Sequence, residues 1–177
     1  RERLQTVLAG RVPDRVPVAP DFSNMIPARL TGRPFWQLYL YRDPPIWEAY
    51  IACAKHFGID ALMDGYFPLS FPEERAGEDG WETFIVGREP ERLVTQRSRR
   101  RSGGREWEPR VVVYCVADPP THGLAPAKLG LPEVPERFEE VEGVREVDTG
   151  PEGLRRVKRL MGEQGLVGVY LASTKAL

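Results

Sequence analysis

The chain has 177 residues, long enough for a domain with a real core, and its 25 Lys and Arg against 26 Asp and Glu leave a formal charge of −1. That balance supplies no overall field to recruit nucleic acid or an anionic membrane, and no apolar run reaches the roughly 20 residues of a membrane helix. Seventeen Pro and 17 Gly argue for many turns rather than a helical bundle. Cys53 and Cys115 lie far apart and outside any CxxC, which points to a reducing, cytoplasmic setting. There is no signal-peptide pattern, and a start at Arg1 leads us to expect that some preceding sequence has been removed.

Residues 1–10, RERLQTVLAG, place Leu4, Val7 and Leu8 on one helical face and close on Gly10, a natural residue just past a helix end. RVPDRVPVAPDF follows. Its outer prolines punctuate turns, and Val16, Val18 and Ala19 suffice for one short buried strand with Asp21 beyond its carboxyl end. The connection DFSNMIPARLTGRPFWQLYLY is too rich in Pro and Gly to form a single helix. In DPPIWEAYIACAKHFG, Asp43 is the expected N-cap, Pro44 the first helical residue and Gly58 the stop. Ile46, Tyr50, Cys53, Ala54 and Phe57 supply the apolar stripe. IDALMDGYF then reads as a strand.

Residues 81–116 change character. WETFIVG, RLVTQRSRRR and EWEPRVVVYCV are strand-like, with a turn at SGG (102–104), and predict an antiparallel excursion. ADPPTHGLAPAKLGLPEVPERF predicts a loop. In TGPEGLRRVKRLMGEQ, Leu154, Val157, Leu160 and Met161 line one face while Arg155, Arg156, Lys158 and Arg159 solvate the other. GLVGVYLA is a continuous apolar strand of the kind parallel sheets bury on both sides. Strands separated by helices predict a parallel α/β sheet.

Four stretches in this order resemble the uroporphyrinogen decarboxylase superfamily, which also contains cobalamin-dependent methyltransferases: the opening helix with PDRVPV, the run DPPIWEAYIACAKHFGIDA, the hairpin excursion, and the helix followed by GLVGVYLA. The resemblance implies a partial (β/α)8 TIM-type barrel over residues 1–177, made of the first three parallel strands with the 81–116 hairpin inserted. VPVAP would be its first strand, and the site would lie at the carboxyl ends of the strands.

The resemblance also implies where to look for function. The family's arginine motif follows its first strand, and RLTGR here sets Arg29 and Arg33 at the same spacing, further from the strand and with Pro34 where an aromatic is expected. The pair would hold substrate carboxylates; the alternative is two solvated arginines in a loop. Asp64 in LMDGYF stands near the family's pyrrole-binding aspartate, although Asp-Gly is also a common turn pair. Tyr66 would line the same mouth or simply pack, and Asp21 would emerge on the substrate face. Displacement of the arginine motif favours the methyltransferase branch, with Asp21, Arg29, Arg33, Asp64 and Tyr66 orienting a small substrate. Corrinoid and zinc would then belong to the complete protein, and decarboxylation of a carboxylated ligand is the alternative.

Cys53 and His56 sit three apart on one helix and could touch one metal, against the simpler reading of a buried structural cysteine. RSRRRSGGRE is an arginine-rich hairpin with little aromatic interleaving, so a solvated face or a protein surface explains it better than nucleic acid. The partners expected are a tetrapyrrole or corrinoid ligand and either a second copy or a complementing carboxyl-terminal half. A non-enzymatic reading stays open, in which the chain is an inactive fragment or binding module with an exposed sheet edge.

Overall fold

The computed structural model describes residues 1–20, 23–63 and 80–168, which divide into two compact units. Of the described residues, the first unit holds 1–20, 23–31, 46–63 and 147–168, and the second 32–45 and 80–146.

Helix α1 (Glu2–Leu8) opens the first unit. It ends as the sequence predicts, with Gly10 at φ 70° and its N–H donating to the Val7 carbonyl. Helix α2 (Met25–Leu30) follows, and the long connection is completed by α3 (Phe35–Tyr39) in the second unit. Helix α4 spans Ile46–Phe57. It starts later than Asp43-Pro44 suggests, because Pro44 itself precedes a proline and is thereby disfavoured from helical geometry. Gly58 (φ 67°) stops α4, and strand β1 (Ala61–Met63) begins within three residues.

The second unit is built on strands β2 (Trp81–Glu89), β3 (Arg92–Arg101), β4 (Gly104–Cys115), β5 (Thr121–Leu124) and β6 (Glu139–Glu140). A short 3-10 turn, Pro126–Leu129, follows β5. All five strands join one antiparallel sheet in the order β5-β4-β3-β2-β6. Val94, Val111 and Val113 are buried on one face, where Val86, Leu124, Leu129 and Leu131 pack against them. Helix α5 (Gly150–Met161) and strand β7 (Leu166–Gly168) return the chain to the first unit. There β7 pairs with β1 in parallel, Ala61 opposite Leu166. Trp47, Tyr50, Ile51, Ala54, Ile59, Leu62, Val157 and Met161 form the core beneath that pair.

This architecture corrects the expected fold class. Among the described residues the fold is mixed α/β, with a five-stranded antiparallel sheet and a two-stranded parallel one, and no barrel-like parallel arrangement is present. The parallel component falls short of three strands because VPVAP (16–20) forms none. Pro17 and Pro20 have no N–H to offer a ladder, and the Val18 N–H donates to the Asp60 side chain at 2.9 Å instead of to a strand. Val16 stays 81% exposed, so the step between the prolines is not the buried strand its composition suggests. The antiparallel excursion is also larger than a hairpin, since β5 and β6 extend it on both edges. The apolar stripes shift as well: Phe57 and Leu160 are exposed, while Trp47 and Ile51 are buried. Among the described residues no helix is long and apolar enough to cross a membrane.

Candidate functional site

The parallel pair has two ends of different character. Asp60 immediately precedes β1 and is 1% exposed, a carboxylate among Ile59, Ala61 and Leu62. A buried charge of this kind needs partners, and the first eighteen residues supply them. Arg3 Nη1 donates to Asp60 Oδ1 at 2.9 Å, Arg15 Nη2 lies 3.3 Å from Oδ2, and the Val18 N–H donates to Oδ2. Arg3 also forms a two-pronged pair with Asp14, at 2.7 and 2.9 Å. Burial pushes the Asp60 carboxyl up, but the Val18 amide and the Arg3 and Arg15 guanidiniums outweigh it and hold it below the ordinary carboxylate range. Asp14 is held low chiefly by its Arg3 hydrogen bonds, which hold the guanidinium fully charged.

The same end of β7 is filled. The Leu166 N–H donates to the Asp60 carbonyl at 3.0 Å, and a Cβ on Gly165 would stand 2.4 Å from that oxygen. Arg1 pairs with Glu163, and the Gln164 carbonyl accepts from the Arg1 amino group. A cavity of about 560 Å³ here is lined by Arg1, Arg3, Thr6, Asp14, Glu163 and Gln164, charges that largely satisfy one another. The amino end is therefore a structural clamp. Met63 and Gly168, the last described residues of the pair, lie towards its carboxyl edge, the edge at which open parallel sheets place their ligands.

Of the residues singled out from sequence, Asp21, Asp64 and Tyr66 lie outside the described residues. Arg29 is exposed on α2. Arg33 is exposed in the second unit, where its guanidinium pairs with the Asp43 carboxylate and also donates to the Asp43 carbonyl at 3.1 Å. Asp43, expected to cap α4, is instead the acceptor of that pair, with Arg145 Nη1 at 3.9 Å. A substrate carboxylate would have to displace Asp43 to use Arg33. Of the Cys53–His56 pair, Cys53 is 1% exposed, whereas His56 is at the surface with its ring edge-on to Phe57. Burial raises the Cys53 thiol above its ordinary value. Among the described residues no group of three His, Cys, Asp or Glu could hold a metal ion.

The residue missed from sequence is Asp60. Its signal was present as an acid embedded in the apolar run IDALM, with Arg3, Asp14 and Arg15 early in the chain. Three cavities among the described residues, of about 330, 510 and 560 Å³, suit small molecules. Comparison with models of protein families, with curated proteins and with solved structures finds no match to this chain.

Proposed function

We propose that this protein takes part in corrinoid-dependent methyl transfer to a thiol or another small substrate, the activity implied by its resemblance to the uroporphyrinogen decarboxylase superfamily. The observation that carries the reading is the polarity of the β1–β7 pair. Its amino end is closed by the Asp60 clamp, and the general rule for parallel sheets puts a ligand at the opposite, carboxyl edge. Asp64 and Tyr66 follow Met63 directly in the chain and are the residues assigned to orienting the substrate there. The engagement of Arg33 by Asp43 favours this reading over decarboxylation, which would require both arginines on substrate carboxylates.

Among the described residues no group of three His, Cys, Asp or Glu could hold a metal ion, and the role assigned to residues of this chain is to bind and orient a small molecule. The test mixes the complete protein with methylcobalamin and simple alkyl thiols and follows the visible spectrum. Loss of the methylcobalamin bands, with an equal amount of methyl thioether formed, is expected. A spectrum unchanged at stoichiometric protein overturns the reading, and carbon dioxide release from uroporphyrinogen would establish the decarboxylase in its place.

A further inference from the structure

The free end of the antiparallel sheet is strongly cationic in a chain that is otherwise acidic. Residues 97–110 carry six arginines (97, 99, 100, 101, 105 and 110) against Glu106 and Glu108, while the whole chain has a formal charge of −1. The register concentrates this charge further. Arg100 stands directly opposite Arg105 across β3 and β4, and like charges in facing positions repel unless an anion lies between them. Arg105 turns aside to Glu82 at 3.1 Å, and Arg99 and Arg101 converge on Glu106 at 2.8 and 2.9 Å. Arg100 is left exposed at the hairpin tip with a cation as its cross-strand neighbour.

Aromatic rings hold these guanidiniums in place. Arg99 lies over Trp81 at 4.6 Å while its guanidinium holds both Glu106 oxygens, and Arg105 lies over Phe84 at 4.3 Å while it donates to Glu82. These pairs show that guanidiniums at this end take carboxylates, and Arg100 is exposed beside them. The strand edge beside them is open, because β5 pairs only with Val111 and Val113 and leaves the distal half of β4 without a further strand among the described residues. Pro109 interrupts the donors along that edge, so a partner is recognised by charge more than by backbone pairing.

We infer that the arginine-crowned tip of the β3–β4 hairpin is a docking surface for an acidic, carboxylate-rich segment of a partner protein. Nucleic acid is the poorer occupant. It needs free ring faces for bases, but Trp81 is covered by Arg99, and Phe84, Trp107 and Phe138 pack edge-to-face on one another at 5.1 to 5.7 Å.

The experiment measures fluorescence anisotropy of a labelled glutamate-rich peptide titrated with the full chain. Saturable binding that weakens with salt is expected. The Arg100→Glu, Arg101→Glu double variant should lose roughly tenfold in affinity. Arg100→Ala, an exposed truncation that leaves the Glu106 pairs intact, should lose less in the same direction. Arg155→Glu on α5, in the other unit, should change nothing. Absence of saturable binding, equal weakening by Arg155→Glu, or tighter binding of an oligothymidylate of the same charge would each overturn the inference.

Discussion

Replacing Asp60 by alanine tests whether the clamp holds the amino end of the parallel pair. The substitution removes an acceptor for the Val18 N–H and for Arg3, both at 2.9 Å, and a charge 3.3 Å from Arg15. The amide bond to a buried carboxylate is worth about 1.5–3 kcal/mol. Arg3 and Arg15 are 32% and 44% exposed and can rehydrate, so each ion pair adds at most about 1 kcal/mol. Relief of the Asp60 burial penalty offsets part of the sum, which leaves a loss of about 2–3 kcal/mol. At roughly 2–4 °C per kcal/mol for a chain of this size, Tm should fall by about 4–12 °C. Asp60→Asn keeps one acceptor for Val18 and should lose about half as much.

The assay is thermal unfolding followed by circular dichroism at neutral and at acid pH. The folded Asp60 carboxyl titrates below its unfolded value, so the unfolded chain binds the proton more readily. Its stabilisation is fully present above the ordinary carboxylate value near pH 4 and is lost as pH falls through the depressed folded value. The gap in Tm between wild type and Asp60→Asn should therefore narrow below about pH 4. A fall of less than about 1 °C for Asp60→Ala at neutral pH would refute the clamp.

Two further outcomes follow from packing. Gly165→Ala would bring a Cβ to 2.4 Å from the Asp60 carbonyl oxygen and 2.6 Å from the Met161 methyl carbon, forcing backbone to move. It should cost about 1–3 kcal/mol in denaturant unfolding, whereas Gly103→Ala, with open space around it, should be near neutral. Cys53 is buried and its thiol is raised by that burial, so a thiol reagent should label half-buried Cys115 first and reach Cys53 only on unfolding. Labelling of Cys53 at the rate of Cys115 in the native protein would contradict its place in the core.

Local chemistry determined much of this protein. Gly10 and Gly58 end α1 and α4, and SGG turns β3 into β4, because a positive φ or a tight turn is a property of a few adjacent residues. The alternation in residues 81–116 likewise specified strands without knowledge of their partners. Pairing was another matter. Nothing in THGL or in Glu139-Glu140 announces a strand, yet both complete the sheet because β4 and β2 present open edges to them. VPVAP has the composition of a buried strand but is not one, since a carboxylate 42 residues away takes the Val18 amide. The candidate site divides in the same way. The sequence marked Arg33 as a cation; only the fold shows Asp43 on it. It marked Asp60 as one acid among 26, and only the fold buries it between Arg3 and Arg15. Turns and periodicities are short-range and can be read along the chain; strand partners and buried charges are settled between distant segments, where the competition for a single N–H or carboxylate takes place.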